Sequence, residues 1–238
     1  MKLALFNDYI PGLVVGEQII DLSESAGRHI MESAPPDRMT AIIADFERLQ
    51  PNIAAAAVQR GRPLAEVRLR APMPRPGKML FGLGNYHENV NGQVAPLGLF
   101  LKSPSSILDP GGTVRLPPID AVIFHHEAEL AFVIGKRGKD IPEEEALDYI
   151  FGYTCIIDVS ARGLGGGVLF IDKSPDTFCP MGPWITTRDE IPDPQRLRVR
   201  FWENEELRQD YNTDDMEHSV REIVAWASRI ATLEVGDV

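Results

Sequence analysis

The chain predicts an α+β fold dominated by strands, and three observations carry that expectation. Long apolar, β-branched runs recur, above all at 121–135 (AVIFHHEAELAFVIG) and 151–158 (FGYTCIID). Proline and glycine, 19 and 20 in 238 residues, cut the rest into segments of strand length. Helical periodicity or helix-start chemistry is confined to a few stretches.

The first 70 residues read as a small N-terminal module. Residues 2–6 and 12–21 have strand character, and 37–49 (DRMTAIIADFERL) has the spacing of an amphipathic helix after the Pro35-Pro36 break. Residues 70–78 (RAPMPRPGK) hold three prolines and a glycine, the composition of an inter-domain linker. The expected division is therefore 1–70, a linker at 71–77, and a larger domain over 78–238. Within the latter, Asp140 is placed to cap a helix with Pro142 at its first position and Glu143, Glu144 and Glu145 in its opening turn. A second helix is expected from about 215 to 230, with Asp214 and Glu217 as capping pair. Its buried stripe would be Val220, Ile223, Val224, Ala227 and Ile230.

The candidate site starts from Glu127 and Glu129 inside the 121–135 strand. Side chains at i and i+2 of a strand share a face, here with Ile123, His125, Ala131 and Val133. Two carboxylates so close on a half-buried surface need a cation or a proton between them. Asp158, closing the 151–158 run, supplies a third. An all-oxygen set of three carboxylates suits a hard cation such as Mg²⁺, Mn²⁺ or Ca²⁺, with positions left for water or a chelating substrate. The alternative is pairing with Arg or Lys from a neighbouring strand.

Lys173, among apolar positions, is a point charge able to hold a substrate carboxylate or stabilise an enolate; otherwise it is a surface lysine. Arg162 can fork to a carboxylate or form an ordinary salt bridge. His125 shares the face of the glutamates as ligand or neighbour, while His126 points away. The run Gly163–Leu164–Gly165–Gly166–Gly167 lacks the Lys-Ser/Thr of a phosphate loop and reads as a gating segment. Gly82-Leu83-Gly84 lacks the third glycine of a dinucleotide fingerprint.

Composition narrows the partners. A net charge of −11 argues against nucleic acid or an anionic membrane as the main partner. No apolar run is long enough to span a bilayer, and the N-terminus lacks a signal peptide's apolar core. Cys155 and Cys179 form neither a metal spacing nor a disulfide framework, so a reducing cytoplasm is the expected compartment.

The ordered motifs HHEAELAFVIGK (125–136), GYTCIIDVSAR (152–162) and DKSPDTFCPMGPW (172–184) resemble the fumarylacetoacetate hydrolase family, especially its acylpyruvase-like and oxaloacetate-decarboxylase-like members. FLKSPSSI at 100–107, the pair Arg208-Gln209 and the ending ASRIATLEVGD add to the likeness, which runs from about Lys78 to the end. The N-terminal module is also similar to the leading domain of bacterial members. The resemblance implies a mixed β-roll and a homodimer. It implies Mg²⁺ or Mn²⁺ on Glu127, Glu129 and Asp158, with Arg162 and Lys173 beside a small anionic 2-oxo acid. The substrate's 2-oxo and carboxylate oxygens would chelate the ion, which stabilises the enolate released by carbon–carbon cleavage.

Two departures qualify it. The family's lid carries Asn-Tyr followed by a His and, three residues on, a Glu, a pair that activates water. Asn85 and Tyr86 are present as substrate-binding candidates, but Asn89 stands at the His position and Gly92 at the Glu position. His87 and Glu88 are the nearby candidates to act instead, and Gly165 stands where the family has Gln. Relatives also continue into a Gly-Thr strand beyond the point matching Val238, so the catalytic domain is expected to be C-terminally truncated. The expected activity is metal-dependent hydrolysis of a carbon–carbon bond in a 2-oxo or 2,4-dioxo acid. Decarboxylation, isomerisation or lyase cleavage on the same fold, or metal and 2-oxo acid binding without turnover, are the alternatives.

Overall fold

The computed structural model describes residues 1–87, 96–164 and 168–238. The chain opens with β1 (Lys2–Phe6), β2 (Ile10–Val15) and β3 (Gln18–Asp21). Residues 12–21, expected as one strand segment, thus split in two. Gly16 sits at φ +57° in a two-residue hairpin loop, a backbone state open to glycine and the kind of turn that matches strand twist. Two single-turn helices follow, α1 (Ser23–Ala26) and α2 (Arg28–Met31).

The helix expected over 37–49 is two helices, α3 (Arg38–Ala44) and α4 (Phe46–Ala56), broken at Asp45, whose φ of −117° leaves the helical region. Asp45 turns its carboxylate onto Arg48 and His29. Pro51 does not stop α4, because Leu49, Ile53 and Ala56 bury a face that outweighs the lost backbone bond.

Short strands β4 (Arg62–Pro63), β5 (Leu69–Arg70), β6 (Leu80–Gly82), β7 (Leu99–Leu101) and β8 (Ile107–Leu108) lead to two long ones, β9 (Ile123–Ile134) and β10 (Ile150–Arg162). The one-turn-and-a-half helix α5 (Leu169–Lys173), β11 (Cys179–Thr187), the hairpin β12 (Arg198–Glu203) and β13 (Glu206–Asn212), and α6 (Val220–Ile230) complete the chain. Among the described residues the main sheet runs β4-β3-β2-β1-β11-β10-β9, with β5 on β1 and β8 parallel to β11. The fold class is as expected, α+β with a large, mostly antiparallel sheet.

The N-terminal segment joins that sheet directly, since β1 pairs with β11 at Lys2–Thr186 and Leu3–Ile185. One apolar core accordingly mixes Leu5, Ile42 and Ile53 with Val133, Met181 and Ile185. Residues 70–78 are packed rather than free. Ala71 and Met73 are fully buried, and Arg70 reaches Asp109 at 3.0 Å and stacks on Tyr9. Lys78 pairs with Asp237 at 2.6 Å, while the Leu80 N–H donates to the Val238 carbonyl, so the last residues are stitched beside β6 and the end of β9.

Two helix starts differ from expectation. Asp140 caps nothing: it lies at φ +51° with its N–H on the Ser228 carbonyl, and a 3-10 helix, Glu143–Tyr149, begins after Pro142. The second helix starts later than expected, with Ser219 and Glu222 forming a reciprocal capping box. Asp214 belongs instead to a 3-10 turn capped by Asn212. On α6, Val220, Val224 and Ala227 are buried as expected, whereas Ile230 is 69% exposed at the frayed end.

Candidate active site

Strand pairing builds the site. β9 and β10 run antiparallel with Glu127 opposite Asp158, His125 opposite Ser160 and Glu129 opposite Ile156. Residues directly opposite project to the same face, so Glu127, Glu129 and Asp158 converge on one side of a two-strand ladder. Asp158 lies inside β10 rather than at its end, because the strand continues through Ser160 and Ala161 to Arg162. The three carboxylates, Arg162, Lys173, His125, Asn85 and Tyr86 line one cleft of about 430 Å³. Phe81, Phe100, Leu130, Phe132 and Ile156 give it apolar walls.

Cations meet the carboxylates from three directions. Lys173, buried at the end of α5, bridges Glu127 Oε2 at 2.7 Å and Asp158 Oδ2 at 2.6 Å. Arg162 Nη2 donates to Glu127 Oε1 at 2.5 Å from the cleft mouth, its side chain 40% exposed. The third cation is Lys102, which sequence reasoning did not single out as a site residue. It is fully buried and gives its three protons to Asp158 Oδ1, the Phe178 carbonyl (2.8 Å) and the Val159 carbonyl (3.2 Å). A lone lysine after the apolar LFL of β7 was the available signal.

The electrostatics are uneven. Burial works against the Glu127 carboxylate, yet Lys173 and Arg162 outweigh it and hold its pKa below the usual range. Glu129 has no ion pair or hydrogen bond among the described residues. Burial, then the charges of Asp158 and Glu127, push its pKa up to about 8. Burial also lowers the Lys102 pKa, against the pull of Asp158.

As placed, no group of three His, Cys, Asp or Glu among the described residues is arranged as a metal cage. The Lys173 ammonium sits between Glu127 and Asp158, so those two carboxylates are turned to it. The donor chemistry nonetheless fits a hard divalent ion. All three groups are carboxylates, register places them on one face, and Glu129 is a half-buried carboxyl with no ion pair among the described residues.

Asn85, Tyr86 and His87, expected from the resemblance to belong to a lid, have other attachments. Asn85 accepts from the His218 N–H at 3.0 Å and donates to the His218 carbonyl at 2.9 Å, so its amide latches β6 to the segment before α6. The Tyr86 ring meets Tyr211 at 4.7 Å, and burial with the Glu129 charge holds its phenol well above the usual range. His87 is exposed, with Nδ1 2.7 Å from the Asp215 carbonyl. His126 lies on the opposite face, against Phe201. Glu88, Asn89, Gly92 and the glycines at 165–167 fall outside the described residues. A separate cleft of about 660 Å³ near Met1 carries charges that pair among themselves, as in Arg188 with Asp148 at 2.6 Å. No helix among the described residues is long and apolar enough to cross a membrane.

The chain is similar to known proteins over its whole length. Residues 81–238 match the family model described as fumarylacetoacetate (FAA) hydrolase C-terminal. The whole chain is 35% identical over 255 residues to maleylpyruvate hydrolase of Aquipseudomonas alcaligenes, covering 88% of it. It is 34% identical over 261 residues to the oxaloacetate tautomerase YisK of Bacillus subtilis, covering 87%. In structure it matches the maleylpyruvate hydrolase of Sphingobium sp. SYK-6, solved with manganese(II) and pyruvate. The TM-score is 0.88 at 38% identity, over 100% of this chain and 86% of that one. These relatives are enzymes, and the β9–β10 carboxylate ladder lies within the matched region. The chain belongs to the fumarylacetoacetate hydrolase family.

Proposed function

We propose that this chain is a divalent-cation-dependent hydrolase that cleaves a carbon–carbon bond in a small 2,4-dioxo acid of the acylpyruvate type. The observation that carries the reading is the register placing Glu127 opposite Asp158 with Glu129 beside them, the last with no ion pair among the described residues. Those residues would hold Mg²⁺ or Mn²⁺, which supplies electrophilic stabilisation of negative charge on the substrate's 2-oxo oxygen.

The chain's own groups do the rest. With Glu129 ionised, the charges of Glu127, Glu129, Asp158, Lys102, Arg162 and Lys173 cancel, so a bound divalent ion leaves a surplus that suits a doubly anionic substrate. Lys173, fixed by two carboxylates, is a compact charge beside the reacting end. Arg162, at the mouth, fits a distal carboxylate. The Phe81, Phe100 and Phe132 walls exclude bulk water and strengthen these interactions. His87 is the candidate base. Its hydrogen bond to the Asp215 carbonyl requires the proton on Nδ1 and leaves Nε2 to accept one. Glu88, next in sequence, is the second candidate.

A second reading is tautomerisation or decarboxylation of an oxaloacetate-like acid. It is favoured by the 34% identity to an oxaloacetate tautomerase, and by His87 lying outside the residues that line the cleft. Steady-state assays on acylpyruvates and on enol-oxaloacetate, with Mg²⁺, Mn²⁺ or EDTA, separate the two. Metal-dependent pyruvate release from an acylpyruvate supports hydrolysis, whereas turnover of oxaloacetate alone, as enol loss or as pyruvate with carbon dioxide, supports the second reading. Turnover in EDTA equal to that with metal would overturn both. A homodimer in a reducing cytoplasm completes the proposal, with light scattering after gel filtration as its check.

A further inference from the structure

Among the described residues β9 ends the main sheet, so its outer edge offers backbone N–H and C=O groups that no described strand receives. Between the two glutamates those groups belong to Ala128, and both are taken. The Ala128 N–H donates to Gln209 Oε1 at 2.9 Å, and the Tyr211 hydroxyl donates to the Ala128 carbonyl. Gln209 and Tyr211 are two residues apart on β13 and therefore lie on one face of the hairpin. Among the described residues that hairpin pairs with no strand of the main sheet. A two-stranded ribbon is marginal by itself, so its attachment along β9 is part of what holds it. Tyr211 also carries the ring contact to Tyr86.

We propose that Gln209 and Tyr211 are positioning residues that aim Glu127 and Glu129 at a shared cation by clamping the peptide between them. The inference rests on the metal-site reading above. The Ala128 peptide planes set the directions of the Cα–Cβ bonds on either side. Pinning both the N–H and the carbonyl therefore fixes the spread between the two carboxylates, as a β10 partner alone does not. Groups that orient metal-ligating side chains typically change affinity by about 10- to 100-fold when removed.

The test uses the full chain and three variants, with Mn²⁺ affinity read from the electron paramagnetic resonance signal of free ion. Q209M removes the acceptor, Y211F deletes a single oxygen, and R198A breaks the Arg198–Asp210 pair (2.6 Å) elsewhere on the same hairpin. Amide exchange at Ala128 and the melting midpoint are read alongside. Expected are an Mn²⁺ Kd raised about 10- to 100-fold in Q209M and Y211F, faster Ala128 exchange in Q209M, and an unchanged Kd in R198A. Equal affinity in all four chains would overturn the clamp and leave the metal reading standing. Equal weakening in R198A would also overturn it, because general loosening of the hairpin would then suffice. A parent chain with a protected Ala128 amide that binds no Mn²⁺ would remove the metal reading and this inference together.

Discussion

Replacing Lys173 with methionine tests how the carboxylate cluster is held. The stem's length and most of its volume remain, and only the ammonium is lost. In the parent chain that ammonium lies 2.6 Å from Asp158 and 2.7 Å from Glu127, in a side chain 5% exposed. Its loss leaves the buried Asp158 and the half-buried Glu127 facing each other with Glu129 beside them. Breaking a buried ion pair costs about 3–5 kcal/mol, and each kcal/mol is worth about 2–4 °C of melting temperature in a chain of this size. Lys102 and Arg162 still pair with Asp158 and Glu127, which places the expected loss in the lower part of that range, about 6–12 °C. The assay is thermal unfolding by circular dichroism in EDTA, then with added Mn²⁺. Ion at about a hundred times its Kd returns about 2.7 kcal/mol, and the variant should gain at least as much as the parent, since the competing ammonium is gone. A K173M chain that melts within about 2 °C of the parent in EDTA would refute the claim that Lys173 neutralises buried charge.

Three more predictions follow from the same geometry. Glu129 has a folded pKa of about 8, above its unfolded value near 4.5, so the folded state binds the extra proton between them and metal-free stability falls as pH rises through that window. E129Q removes this slope and should be more stable than the parent above pH 8 in EDTA, by at most about 5 kcal/mol; parallel urea-unfolding stabilities at pH 6 and pH 9 would contradict it. Ser219→Ala breaks the α6 capping box and should cost about 1 kcal/mol, read as a shift of about 2–4 °C in the melting midpoint, and an unchanged midpoint counts against the cap. His87→Ala should lower kcat for pyruvate release while leaving KM near the parent value, and unchanged turnover would remove His87 as the base.

The centre of the fold was legible because a long apolar, β-branched run is a strong local signal for a strand. Glu127 and Glu129 had to share a face once 121–135 was a strand, and Asp158 joined them once β10 paired in register. Long-range pairing was not legible. Nothing in residues 2–6 announces a partner some 180 positions away, and the prolines at 70–78 suggested a free linker where buried Ala71 and Met73 make a packed crossing. Lys102 was missed because a single lysine usually reads as a stem with its charge in water, and only the fold brings the Val159 and Phe178 carbonyls to it. The α6 cap lies five residues beyond the expected pair: Ser219-x-x-Glu222 carries the same reciprocal pattern sought at Asp214 and Glu217. The gap at Asp45 in the first long helix came from a side chain that prefers local partners to helix continuation.

The central claim is that Glu127, Glu129 and Asp158 hold a divalent ion that receives a chelating 2-oxo acid. Calorimetric titration of oxalate, whose adjacent carboxylates imitate that chelate, tests it directly when run with and without Mg²⁺. The account predicts binding that requires Mg²⁺ and is lost in E129Q. Oxalate binding of equal strength in EDTA, or none under either condition, would contradict it.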